Sequence, residues 1–259
     1  VNTLVFDIET VPDTDLARRL FKLPDLSDED VGRILFAQRR QQTGSEFLPH
    51  EQQRVVAISC VLRSRDSLTL WSLGEETSSE KDLLERFFDG IEKYTPDLVS
   101  WNGTGFDLPV LHYRCLLHGV TAARYWETGE NDTSFRFSNY LGRFHWRHMD
   151  LMDILSGFQG RGRAGLDAIA GLLGFPGKIG MHGADVWAAY LRGELKRIRA
   201  YCETDVLNTY LIYLRFELLR GRLTPAAHAA ELARVRTTLA DSPAEHCREF
   251  LASWPDRAG

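Results

Sequence analysis

The apolar run Leu4-Val5-Phe6 leads into Asp7-Ile8-Glu9, where polar and apolar positions alternate. A period of two predicts a strand, buried at its start and presenting a polar face from Asp7 onward. Pro12 closes it. Ser27 with Asp30 three residues later signals a capped helix running toward Gln41, within a segment that reads as an insertion. Residues 54–62 (RVVAISCVL) and 67–73 (SLTLWSL), separated by the polar RSRD turn, predict an antiparallel hairpin that continues the sheet. Thr77 and Glu80 then cap a helix reaching about Tyr94. Leu98 to Trp101 is a short strand that stops at Asn102-Gly103-Thr104-Gly105, and Phe106 to His118 has helical spacing. The aromatic, loop-like stretch from Tyr125 to Trp146 ends in a strand around His148 to Leu151. Helices are expected over 166–173, 184–191, 194–219 and 225–239, with Ser242 and Glu245 capping a last one. Strands early and helices late imply an α/β fold, a mixed central sheet with helices packed on it.

Composition narrows the class. With 44% hydrophobic and 26% charged residues over 259 positions, the chain is an ordinary soluble globular protein without a transmembrane run. The start VNTLVFDIET shows no basic leader or cleavage site, so a cytoplasmic location is expected, and the missing Met implies processing or trimming. Cys60, Cys115, Cys202 and Cys247 are too scattered for a zinc or redox pair and read as buried thiols. A net charge of −5 argues against a strongly basic coat. It leaves a nucleic-acid substrate open, because acidic metal ligands are neutralised by the ions they hold.

Three acidic stretches carry candidate chemistry. Asp7 and Glu9, two apart on a strand, point to one side of the sheet at its mouth, although alone they read equally as solvated acids. Asp107 follows a loop whose glycines admit close backbone approach; a plain strand-to-helix turn explains Asp107 but leaves Asn102 and both glycines unexplained. Tyr201 and Asp205 lie four apart on one helix face, an arrangement that also suits a core aromatic.

FDIET, NGTGFD and YCETD, in that order, resemble the three motifs of the DEDD exonucleases in their tyrosine-containing subclass, a ribonuclease H-like superfamily that includes the proofreading domains of DNA polymerases. HEQQRVVAIS, WNGTGFDLPVL and AYCETDVLNTYLIYLRFELLRG look most like stand-alone exonucleases related to the proofreading domain of family B polymerases. The resemblance covers about Leu4 to Gly221. It implies an exonuclease domain over 1–221 and a C-terminal helical tail over 222–259. It further implies that Asp7, Glu9, Asp107 and Asp205 bind two Mg²⁺ or Mn²⁺ ions, that Tyr201 orients the attacking water, and that Glu9 faces the terminal 3′-hydroxyl. The expected activity is 3′-to-5′ hydrolysis at single-stranded ends, DNA favoured, releasing nucleoside 5′-monophosphates. RNA trimming and a non-catalytic polymerase-accessory role are the alternatives.

Substrate contacts are expected from Asn102, Phe106, Lys178 and the acid-free stretch 134–148, where Arg136, Arg143 and Arg147 alternate with aromatics suited to phosphate contact and base stacking. The competing account makes those aromatics core. Asp150 and Asp153 read as a strand-end cap and a surface group, with Asp150 the reserve ligand. No polymerase domain fits in this length, so a proofreading role calls for a polymerase or repair partner in trans. No membrane association is expected, and oligomeric state is left open.

Overall fold

In the computed structural model, which describes residues 2–23 and 25–255, the first apolar run forms the central strand of a five-stranded sheet. This strand, β1 (Thr3–Pro12), pairs antiparallel with β2 (Gln53–Arg63), and β2 pairs antiparallel with β3 (Leu68–Ser72). On its other side β1 runs parallel to β4 (Asp97–Ser100), and β4 runs parallel to β5 (His148–Asp150). The spatial order β3-β2-β1-β4-β5 is a mixed ribonuclease H-like sheet. The helices are α1 (Thr14–Phe21), α2 (Asp28–Thr43), α3 (Glu80–Tyr94), α4 (Asp107–His118), α5 (Leu151–Leu155), α6 (Leu166–Leu172), α7 (Val186–Leu191), α8 (Leu195–Leu219), α9 (Pro225–Ala240) and α10 (Glu245–Ser253). None among the described residues is long and apolar enough to cross a membrane.

Alternation along β1 divides the core. Leu4, Phe6 and Ile8 pack with α3 and α4 in one apolar cluster, while Val5 joins the cluster built on α8. The same parity directs Asp7 and Glu9 toward the α8 side. Burying large side chains on both faces, at about 1.5–3 kcal/mol each, fixes the strand's register and leaves those two acids no other orientation.

Several local expectations need correction. Asp13 caps an unanticipated helix, α1, by accepting from the Leu16 amide at 2.9 Å. Asp150 likewise caps the short α5, too brief to show a helical period. Ser79, rather than Thr77, caps α3, since its hydroxyl is the one that reaches the Asp82 amide. At α10 the flanking residue is Ala244, and Ser242 accepts from the Ala244 amide instead of capping the helix. Asp153, read as a surface group, is buried and paired with Arg163 at 2.5 Å. All four cysteines are buried free thiols, as expected.

The tail packs on α8. Val235, Leu239, Cys247, Phe250 and Trp254 complete the cluster that contains Val206, Tyr210 and Leu214. Polar ties reinforce this: Arg63 of β2 pairs with Glu231 of α9 at 2.5 Å, and His246 of α10 meets Glu203 of α8 at 2.7 Å.

A second polar network joins the helices on the opposite face. Arg114 of α4, nearly inaccessible, reaches Asp13 at 2.5 Å and Glu80 at 2.6 Å, and Glu80 also accepts from the Val55 amide at 2.7 Å. One guanidinium thereby connects α1, α3, α4 and β2. Arg114→Ala removes the guanidinium shared by two buried carboxylates, leaving Glu80 with His118 and the Val55 amide and Asp13 with the Leu16 amide, and is expected to destabilise the protein by about 3 kcal/mol, read by denaturant unfolding. A loss under about 1 kcal/mol would show that the network is solvated.

Burial alone would push His246 down, but its contacts with Cys247 and Glu203 outweigh this and hold it up at about 9. Glu203 is partly buried, which would raise it, yet its bonds from His246 and Ser72 keep it below its usual range. A raised histidine stabilises fully below its unfolded value near 6.5 and loses that contribution as pH climbs through about 9. The melting temperature should therefore fall between pH 6.5 and 9, and His246→Ala should flatten that slope; an unchanged slope would contradict the assignment.

Candidate metal centre

β4 ends at Ser100, so the Ile8 amide of β1 lies beyond the last ladder pair, Val5 with Val99. Asp107, the first residue of α4, fills that gap: its Oδ1 accepts from the Ile8 amide at 3.2 Å. The helix start is thereby strapped to the strand between Asp7 and Glu9.

The loop before Asp107 is tightly folded. Asn102 adopts a left-handed φ of 66°, and a Cβ on Gly103 would fall 2.3 Å from Ser100 Oγ. Asp150, at the end of β5, accepts from the amides of Asn102 at 3.0 Å and Thr104 at 2.9 Å while also capping α5. Its carboxylate thus fixes the loop that places Asp107, a role beyond the strand-end cap read from sequence.

α8 crosses the β1 face that carries the acids. Tyr201 and Asp205 lie one turn apart on it, both buried, and Cys202 sends its thiol to within 3.6 Å of an Asp7 carboxylate oxygen. Asp7, Glu9 and Cys202 offer ligand atoms that all lie within 4.8 Å of one another. Glu203 faces the other way, to Ser72 and His246, as the helical period requires. Lys178 donates to the Tyr201 hydroxyl at 2.5 Å and stands 3.4 Å from Asp205 Oδ2. Asp205 Oδ1 is buried with no hydrogen-bond partner among the described residues.

These acids resist ionising together. Burial raises Asp7 well above the usual carboxylate range, and repulsion from Asp107, Glu9 and Asp205 adds to it, with Lys178 opposing. Glu9 is raised in the same way, by burial and then by Asp205. Burial lifts Asp107 to about 7 despite its backbone hydrogen bonds, and it raises Asp205 against the pull of Lys178. Tyr201 is pushed up by burial and then by Asp205 and Glu9, so its phenol stays protonated. Crowded carboxyls with an orphaned buried oxygen suit hard divalent cations, which take oxygen ligands and supply the missing positive charge.

Asp7, Glu9, Phe106, Lys178, Tyr201 and Asp205 line one cleft of about 540 Å³. Asn102 is set back from it, with its backbone amide on Asp150. The three arginines are not brought to the cleft. Arg143 lies 3.7 Å from Asp153, stacks on Phe158, and borders a separate cavity of about 240 Å³. Arg147 donates to the Ser138 carbonyl and covers the rings of Phe135 and Tyr140, both core residues. Arg136 is exposed on the same loop. Phe36, Phe47 and Trp187 also line the cleft, and sequence reasoning missed them. The available signal was Phe47-Leu48, an isolated apolar pair in a polar stretch.

A family model described as "Predicted 3′-5′ exonuclease related to the exonuclease domain of PolB" matches residues 45–254, a span holding Asp107, Tyr201 and Asp205 as well as α9 and α10. Asp7 and Glu9 precede it. A DNA polymerase of Archaeoglobus fulgidus is 26% identical over 165 residues, 62% of this chain and 20% of its own length. The catalytic polypeptide of DNA polymerase epsilon from Saccharomyces cerevisiae is 23% identical over 147 residues, 54% of this chain and 6% of its own. Its namesake from Schizosaccharomyces pombe is 24% identical over 147 residues, 53% of this chain and 6% of its own. The chain thus spans a fifth or less of these relatives' length. With the family model covering most of its residues, the chain belongs to the predicted 3′-5′ exonucleases related to the exonuclease domain of PolB.

Proposed function

We propose that the protein is a metal-dependent 3′-to-5′ exonuclease that hydrolyses phosphodiesters at single-stranded ends, with DNA favoured, and releases nucleoside 5′-monophosphates. The observation that carries this reading is the cleft lined by Asp7, Glu9, Asp205 and Tyr201, with Asp107 held just behind it on the Ile8 amide between the first two acids. Those four carboxylates would hold two Mg²⁺ or Mn²⁺ ions. Bound there, the ions would lower the pKa of attacking water and stabilise the leaving oxygen.

The chain's own groups do the rest. Tyr201 accepts from Lys178 and keeps its own proton, so its hydroxyl is positioned to orient water rather than to act as a strong base. Lys178 places an ammonium at the cleft wall, where it can pair with a phosphate oxygen. Phe106 offers a ring edge or face to a base. Asn102 acts through the loop it shares with Asp107, and Arg136, exposed outside the cleft, is assigned to the more distant strand. Arg143 and Arg147 are assigned to shaping the loop between α4 and β5. The relatives' identity as DNA polymerases supports a nucleic-acid substrate and a link to a polymerase.

A time course on 5′-labelled DNA and RNA of equal sequence tests the reading. A ladder shortening from the 3′ end is expected only with Mg²⁺ or Mn²⁺, and faster on DNA. Removing the cation-binding carboxylates in Asp7→Ala plus Asp205→Ala should cost several kcal/mol of transition-state stabilisation, at least about a thousandfold in rate. Tyr201→Phe should cost about a hundredfold. Undiminished hydrolysis in excess chelator, or by the double variant, would refute the assignment.

A further inference from the structure

The segment between α2 and β2 holds a phenylalanine in an unusual setting. Leu48 is buried with Ala17, Val31 and Leu35 in a small separate core, whereas its neighbour Phe47 is 58% exposed. Phe47 lines the acidic cleft, while Leu48 beside it is anchored in that small core. Its ring centroid lies 5.0 Å from that of Phe106, tilted by 56°.

The backbone around this exposed ring is pinned. Arg39 of α2 donates to the Phe47 carbonyl at 2.9 Å, and the Phe47 amide donates to Ser45 Oγ at 3.1 Å. Gln53 donates to the Leu48 carbonyl at 3.1 Å, and His50 Nε2 lies 2.9 Å from the Gly105 carbonyl, in the loop that places Asp107. On the far side, Gly32 of α2 accommodates the Trp187 indole so closely that a Cβ there would fall 2.7 Å from Nε1. The insert is therefore attached to both walls of the cleft. Glu46, next to the ring, is paired with Arg40 and so adds little net negative charge there.

A ring that is fixed in place, left uncovered, and set across a cleft from phosphodiester-hydrolysing acids suits a flat apolar ligand with little further ordering cost. In a nucleic acid that group is the base. We propose that Phe47 is a base-stacking platform for the 3′-terminal nucleotide, and that residues 28–50 form the cleft wall that grips an unpaired end. This inference rests on the exonuclease reading. It deepens that reading by giving the preference for unpaired ends a residue, since a base still paired in a duplex is not free to leave its stack.

The test uses 5′-fluorescein single strands ending in a natural nucleotide or in an abasic residue, with anisotropy measured in Ca²⁺ and single-turnover cleavage measured in Mg²⁺. Wild type is expected to bind the abasic end about tenfold or more weakly, the size of one base–aromatic stack. Phe47→Ala should bind both ends equally, at the abasic level, and Phe47→Trp should restore the difference. Circular dichroism melting of each variant checks folding. If Phe47→Ala still discriminates as wild type does, or a folded Phe47→Trp fails to, the platform is refuted while the nuclease reading stands. If wild type neither binds nor cleaves either strand, the nuclease reading fails and the platform with it.

Discussion

Mutual repulsion among the carboxyls on the α8 side of β1 is the constraint around which the rest of the structure is arranged. Asp7, Glu9, Asp107 and Asp205 come from a central strand, a helix start and a long helix, and burial penalises charge on each of them. Left to themselves, such groups would separate or stay protonated. They are held together by packing that has nothing to do with charge: Val5 and the α8 cluster on one side, Leu4, Phe6 and Ile8 on the other. Proposed cation binding would turn this stored repulsion into affinity. Lys178 is the partial substitute supplied by the chain itself.

Positioning falls to residues one step removed from that cluster. Asp107 stays near Asp7 and Glu9 because the ladder of β4 ends early and frees the Ile8 amide. Its loop is held by Asp150 from below and by His50 from the insert. The tail also serves this end, because α9 and α10 bury the face of α8 opposite Tyr201 and Asp205 and thereby set its orientation against the sheet.

Much of this was legible in the sequence because it depends on local periodicity. The alternation at Leu4 to Glu9, the glycine-bearing loop before Asp107 and the four-residue step from Tyr201 to Asp205 each carry their geometry within a few positions. The mixed sheet followed from the order of strands and helices, and the family from three short motifs. What stayed hidden depends on distant partners. Arg143 and Arg147 looked like phosphate ligands until Phe158, Phe135 and Tyr140 proved to be their neighbours. Phe47 was lost in a polar insert, because only the folded chain brings it beside Phe106. α1 and α5 are too short for a periodic signal, and Glu80 read as a cap because Arg114 lies 34 residues away.

The central claim is that these carboxyls are poised for divalent cations. Calorimetric titration of Mn²⁺ at pH 7, run in two buffers of different ionisation enthalpy, tests it most directly. Saturable binding accompanied by net proton release is predicted, because carboxyls that burial keeps protonated must ionise to coordinate; Asp205→Asn should weaken the binding. No saturable binding at millimolar Mn²⁺, or binding that Asp205→Asn leaves untouched, would contradict the account.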